Sequence, residues 1–455
     1  MSPTRLEHRQ LHAHLTQLRP GTAAAYEFTL VQSYLPGKPS LSLLVLAAAD
    51  AFAPGCRKLV IVEATAANLL ALGASLPTPE DFETLSHRWQ SPVIDLQSPL
   101  GLTPVCIGKP WGQEIWFTGI EERGLSGVTD GRFTVPLAWV VAVVPVPLMT
   151  GQPGNPNLLK ILDPLPEPVY GDLYFELHEE KREVYVVTHV DSHAWPDGRG
   201  AIRFGFDPRA RARYAGDDVF RQGYLQAVTE YREIRRQIDS LIDQLRERQG
   251  IPQNAPVSSE QSKLWMASVP ARLRDVESKS REVMNQFTQL LPLAVGDVVQ
   301  VPPLLPHSLQ HGVRTVEFQS PVYERKILSF AQKVLTQTEW DTREAVELMT
   351  LDAPQPSALT TIEACAESGI VRERIADFDD FRVERLQLGP DAQWTKAREG
   401  TYALAMVVSG QICFNGIEIK PENAAFIPAA CGDLNIENKA NQAGAILLCR
   451  PRATK

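Results

Sequence analysis

The chain has 455 residues, and 54 acidic against 45 basic side chains leave a formal net charge of −9. That length suits two to four domains at about 150 residues each, and 44% hydrophobic with 22% charged residues is the balance of a folded protein in water. The acidic excess argues against nucleic acid or an anionic membrane surface as the main partner, although a local group of basic side chains can still serve a small anion. Proline outnumbers glycine, 35 to 29, which favours short strands and defined turns over a helical bundle. Cys56, Cys106, Cys365, Cys413, Cys431 and Cys449 form no C-x-x-C pair, so no thiolate zinc site is expected and a reducing cytoplasm is the default. The first residues lack the apolar core of a signal peptide. The most apolar stretch, Val135 to Met149, is interrupted by Pro136, Pro145 and Pro147. A membrane span needs about 20 apolar residues, so this stretch reads as a buried strand pair.

Residues 1–104 read as an extension without an assignable role. Leu6, Leu11, Leu15 and Leu18 predict a helix from Arg5 to Leu18. His8 and His12 stand four apart on it, a spacing that can hold a metal but more often marks a solvated face. Lys58–Glu63 predicts a strand, followed by a helix from Thr65 to Leu72. From Pro104 to Arg203 short strands dominate: Glu114–Thr118, Trp139–Val144, Leu173–His178 and Glu183–Thr188.

Phe220, Tyr224, Val228, Tyr231, Ile234, Ile238, Leu241 and Leu245 recur at steps of three and four, which predicts a helix of roughly eight turns. Gly250, Pro252 and Pro256 stop it. Ser258 and Gln261 form a capping pattern for the next helix, and Pro270 breaks that one. The arginine-rich faces around Arg232, Arg235 and Arg236 read as solvated. Strands resume at Asp297–Val301 and Val313–Phe318. After a linker at Asp352–Leu359, a last all-β block holds Ala403–Ile412 and Ala424–Pro428.

Two distant clusters carry chemistry. In Glu176-Leu-His178-Glu-Glu-Lys181-Arg-Glu183, Glu176 and His178 share one face of a strand, and Glu183 returns beside them after a short turn. In Gly296-Asp-Val-Val-Gln-Val-Pro302-Pro-Leu-Leu-Pro306-His307, a proline-rigid loop delivers one more histidine. Two imidazoles and two carboxylates suit zinc, iron or manganese. Gly124-Leu-Ser126-Gly127 is not a nucleophile elbow, and no phosphate-binding glycine loop appears.

These clusters resemble the two motifs of the cupin superfamily, with Glu176 for the first motif's first histidine, Gly171 one residue too close, and Leu304 for the second motif's glycine. The wider pattern resembles the cupin-type, zinc-dependent mannose-6-phosphate isomerases. It runs through Lys109-Pro-Trp-Gly112, Glu176-x-His178, Lys181-x-Glu183, a helical insert, Val301-Pro-x4-His307, and Glu317-Phe-Gln-Ser320 followed by Arg325. The first metal pair of that family is usually Gln-x-His, the segment between His178 and Glu183 is shorter here, and Ser320-Pro-Val322 replaces the family's Ser-Asp-Asn. In the last block, Pro428 stands at the motif's proline and Asp433 at its histidine.

The resemblance implies a mainly β protein with two cupin jelly-roll barrels, a helical insert and an α/β N-terminal extension. Its parts would be the extension 1–104, a metal-binding barrel from 105–206 and 291–350, the insert 207–290, and a metal-free barrel at 360–455. It implies Zn2+, or another divalent ion such as Fe2+ or Mn2+, on Glu176, His178, Glu183 and His307. Lys181 and Arg325 would supply positive charge to the substrate, and Glu317 an acid/base group. His311, four residues past His307, would stand behind the ligands. The implied partner is a small sugar phosphate, most plausibly mannose 6-phosphate. Two rivals stay open: an iron-dependent oxygenase on the same ligands, and a non-catalytic sugar-phosphate sensor.

Overall fold

The computed structural model describes residues 3–73, 78, 81–352, 360–365, 369–397 and 399–452. Of the expected linker, only Asp352 lies within the described residues. The chain folds as two units, one of Met1–Val105, Trp116–Leu159 and Leu359–Lys455, the other of Cys106–Ile115 and Lys160–Ala358. The fold is mainly β. Among the described residues its sheets are open layers, with no closed barrel.

In the first unit, strands Ala23–Val31, Ser40–Ala49 and Cys56–Glu63 pair antiparallel within a five-stranded sheet. Leu43 through Ala48 are all buried, so both faces of the middle strand are covered. Phe82, Leu85 and Trp89 of helix Asp81–Trp89 pack on Leu44, Leu46, Val60 and Val62. The expected N-terminal helix is His8–Thr16, with Leu11 and Leu15 buried. The Nε2 atoms of His8 and His12 both donate to the carbonyl of Ala142, at 2.9 and 3.0 Å, so this pair is engaged by the backbone.

The rest of the first unit is a sandwich of a nine-stranded and a four-stranded sheet. Its core includes Leu386, Leu388, Ala405, Val407, Phe414, Ile436 and Leu448. The sequence gives no hint that Leu100–Thr103 belongs here, yet it pairs antiparallel with Ala424–Ile427, Gly101 opposite Ala425. One expectation is corrected. Trp139–Val144 is not a strand, because Leu137–Val143 forms a helix and Val146–Met149 another. Leu137, Ala138, Val140 and Val143 are the buried positions, a helical spacing that the run of valines disguises. Pro136 and Pro145 precede the two helices, where a fixed φ starts a helix rather than interrupting a strand.

In the second unit a six-stranded sheet holds, in order, Val298–Val301, Glu183–Val190, Val313–Gln319, Leu158–Pro164, Gly112–Trp116 and Val105–Lys109. A five-stranded sheet holds Thr288–Leu293, Gly200–Phe206, His307–Leu309, Phe175–Leu177 and Lys326–Ser329. Tyr185, Val187 and Val301 of the first sheet share a core with Ile202, Phe204 and Leu309 of the second. The helix Asp217–Arg248 lays Phe220, Tyr224, Val228 and Tyr231 against Phe175, Leu177 and Phe206. Strand alternation then decides the site: Phe175 and Leu177 face the helix, so Glu176 and His178 face the other way, towards the sandwich interior.

Ser258 Oγ accepts the Gln261 N–H at 3.2 Å to open helix Ser259–Ser268, and Pro270 separates it from Ala271–Asn285. Arg235 corrects the expectation of a solvated arginine face. It is 2% exposed and paired with Asp239 at 2.8 Å.

Candidate metal centre

Three strands deliver the central side chains: His178 just past Phe175–Leu177, Glu183 at the head of Glu183–Val190, and His307 at the head of His307–Leu309. Glu176 stands directly opposite His307 in the antiparallel register. The short turn between His178 and Glu183 is pinned, since Glu324 Oε1 accepts the backbone N–H groups of Glu180 and Lys181 at 3.2 Å.

Both imidazoles are oriented the same way. His178 Nδ1 donates to the Glu324 carbonyl at 2.9 Å, and His307 Nδ1 to the Leu305 carbonyl at 3.0 Å. With the proton on Nδ1, each ring turns its Nε2 lone pair towards Glu183, the arrangement in which a histidine binds a metal. His307 Nε2 lies 3.1 Å from Glu183 Oε2, and His178 Nε2 lies 3.4 Å from Glu183 Oε1. One ligand atom from each residue lies within 4.8 Å of the other two, and all three residues are buried. His178 Nε2 is buried without a hydrogen-bond partner. Ligands held about 2.1 Å from a tetrahedral ion stand roughly 3.4 Å apart, so the spacings and the orphaned nitrogen fit a divalent ion.

The surrounding charges alternate. Lys181 Nζ contacts Glu183 Oε1 at 2.6 Å, and Tyr185 OH donates to Glu183 Oε2 at 2.6 Å. Burial opposes ionisation of Glu183, but Lys181 and the two histidines overcome it and hold the carboxyl well below its usual range. Burial and then the charge of Glu183 push Glu317 well above the usual range. Lys160 Nζ is 3.2 Å from Glu317 Oε2 and 3.9 Å from Glu114 Oε1, and Lys109 Nζ is 3.4 Å from Glu114 Oε2. Burial works against the charge on Lys160, but Glu114 and Glu317 raise its pKa above the ordinary lysine value. Burial and then the Lys181 charge lower the pKa of His178, favouring the neutral ring that a metal needs.

The expected residues divide as follows. His178, Glu183 and His307 converge, and Lys181 joins them through Glu183. Glu176 stands just outside the trio, 3.9 Å from His178 Nε2 and 3.7 Å from Arg325 Nη1. Arg325 lies over the Tyr174 ring at 4.6 Å and donates to Thr336 Oγ1. Glu317 reaches the cluster from the neighbouring strand, opposite Tyr185. His311 instead bonds Asp172 at 2.6 Å and stacks on Trp195. Two residues were not singled out in the sequence. Tyr185 was signalled by its place two positions after Glu183, on the same strand face. Lys160 was signalled by being a lone cation inside the apolar run Leu158–Leu162.

Leu304, where the cupin motif carries glycine, has φ = +63°, a region that costs an L-residue roughly 1–2 kcal/mol. Here the leucine side chain packs against the helix-facing core, and its N–H donates to the His178 carbonyl at 2.6 Å. The loop thus ties the two ligand segments together.

No family model matches the sequence, and no curated protein matches it. Solved structures do. The mannose 6-phosphate isomerase from Bacillus subtilis aligns at a TM-score of 0.53 and 15% identity, covering 78% of this chain and 100% of that one. A mutant phosphomannose isomerase from Salmonella typhimurium aligns at a TM-score of 0.53 and 14% identity, with 78% and 100% coverage. The chain shares the cupin-type fold of these isomerases.

Proposed function

We propose that the chain is a metal-dependent aldose–ketose isomerase of a sugar phosphate, interconverting mannose 6-phosphate and fructose 6-phosphate. One observation carries the reading: the Nε2 atoms of His178 and His307 and the Glu183 carboxylate converge in a buried group, with both Nδ1 atoms against backbone carbonyls. The shared fold with mannose 6-phosphate isomerases supports the substrate class.

In this reading His178, Glu183 and His307 hold the ion, with Glu176 beside them. A bound divalent ion would act as a Lewis acid on the sugar's carbonyl and hydroxyl oxygens. Lys181 and Arg325 supply positive charge for substrate oxygens or the phosphate. Glu317 is the acid/base group of the enediol route: it would take the proton from one carbon as a carboxylate and return it to the other as the acid, and burial with the neighbouring Glu183 charge raises its pKa in the direction such a group needs. Lys160 orients that carboxyl from 3.2 Å.

A second reading has its own support. Two histidines and one carboxylate converge, with Glu176 outside the trio, and that three-ligand set also suits Fe(II) in an oxygenase. The test is an assay of zinc-loaded protein for fructose 6-phosphate formation, beside a His307→Ala variant, with metal content measured in both. Turnover that disappears in the variant supports the isomerase. A protein that holds its metal yet leaves mannose 6-phosphate unchanged overturns it, and then iron-dependent oxygen uptake separates the oxygenase from a sensor.

A further inference from the structure

A cavity of about 210 Å3 lies within the second unit, lined by parts of all three helices of the insert. It shares no lining residue with the histidine–glutamate trio. Its walls are largely apolar, with Ile242, Val257, Trp265 and Met266 among them. Four cations also line it: Arg235, Arg246, Arg281 and Lys333.

Three of the four are neutralised. Arg235 pairs with Asp239 at 2.8 Å, Arg281 with Glu277 at 3.2 Å, and Lys333 with Asp243. Arg246 is the exception. No carboxylate among the described residues forms an ion pair with it, and Asp243 and Asp239 act on it only through space. Its Nη1 donates to the carbonyls of Pro252 and Ala255, both at 2.9 Å, while its Nε is buried without a partner. Arg246 is 3% exposed, and so is Trp265, whose ring lies 5.1 Å beneath the guanidinium. Trp265 Nε1 is also buried without a partner.

A guanidinium without a carboxylate partner thus stands in the wall of an apolar cavity, backed by the Trp265 ring. Burying an unpaired charge is costly unless an anion accompanies it, and an unmet buried donor costs about 1–3 kcal/mol. A carboxylate has two acceptor oxygens and one charge, which answers a guanidinium that no carboxylate pairs. The apolar walls call for an apolar body behind that carboxylate. The volume exceeds that of an apolar cavity of about 150 Å3 that takes a benzene ring, so a body the size of benzoate fits. A sugar phosphate is the wrong chemistry, because its hydroxyls would face Ile242 and Met266.

We propose that this cavity is a binding site for a small organic carboxylate with an aromatic or aliphatic body, with Arg246 as its counter-charge and the apolar wall around its body. The site does not depend on the isomerase reading. The test is calorimetric titration of the full chain with benzoate, phenylacetate and hexanoate, beside benzamide as the neutral counterpart of benzoate. The expected result is saturable binding of at least one carboxylate, with benzamide at least tenfold weaker than benzoate. Arg246→Met should abolish the preference for charge. Because Arg246 also holds the Pro252–Ala255 loop, Met266→Glu provides an independent variant. It sets a like charge in the half-buried wall and should weaken the carboxylates several-fold while benzamide changes little, with melting unchanged. Absence of binding by all three carboxylates overturns the proposal. So does equal binding of benzoate and benzamide, or binding that neither variant alters.

Discussion

Replacing Glu183 by glutamine tests the electrostatic reading of the site most directly. Glutamine keeps the volume of a side chain that is 2% exposed and can still accept from Tyr185, but it removes the charge. Lys181, 7% exposed and 2.6 Å away, is then left as a buried cation without its partner. Removing one member of a buried ion pair costs about 3–5 kcal/mol. The structure moves the expectation to the lower end. Burial and the charge of Glu183 both raise the pKa of Glu317, so removing that charge eases ionisation of its carboxyl and offsets part of the loss. The predicted destabilisation is about 3 kcal/mol, read by urea denaturation of chelator-treated protein at neutral pH. Adding Lys181→Met to Glu183→Gln removes both partners and should bring stability back to within about 1 kcal/mol of the parent. A single variant as stable as the parent would refute the reasoning, and so would a double variant whose losses simply add.

Further outcomes follow from other parts of the structure. His307→Ala removes one of three converging ligands and should lower affinity for added Zn2+ by well over tenfold, as read by metal content after dialysis. Burial resists ionisation of Glu399, but Lys396 at 2.8 Å and Arg450 at 2.9 Å overcome it and lower its pKa to about 2. A depressed carboxylate stabilises the fold above its unfolded pKa, so Glu399→Gln should cost about 1 kcal/mol at neutral pH, discounted for solvent screening. That deficit should shrink as the pH falls from 4.5 towards about 2, which denaturation at several pH values reads. A Cβ on Gly171 would lie 1.8 Å from the Leu165 carbonyl oxygen. Gly171→Ala must therefore move backbone and should cost at least about 2 kcal/mol, whereas Gly432→Ala meets no atom within 4 Å and serves as the control.

The site was legible where neighbouring residues in the chain share a face. Glu176-x-His178 and Glu183 obey strand alternation, and a proline-bounded loop marked His307. The long helix was legible because its apolar stripe repeats over 32 residues. What the sequence concealed depends on distant partners. Lys160 acquires a role only when Leu158–Pro164 falls beside the strand of Glu317. Arg235 looked solvated because charge alternation along a helix does not say which face a sheet or loop will cover. Leu137–Val143 looked like a strand because β-branched residues dominate it, and tertiary packing outweighed that propensity. Residues 1–104 stayed opaque because one of their strands completes a sheet built from the other end of the chain.

That last pairing has a consequence for synthesis. Gly101 meets Ala425 roughly 320 residues later, an interval of roughly 15–60 s at about 5–20 residues per second of translation. During that interval Leu100–Thr103 leaves the ribosome with no partner on the Ala424–Ile427 side. The competing reaction is pairing of the exposed edge with another nascent copy. The yield of folded protein should therefore fall with the density of chains being made, even though the finished molecule buries the strand.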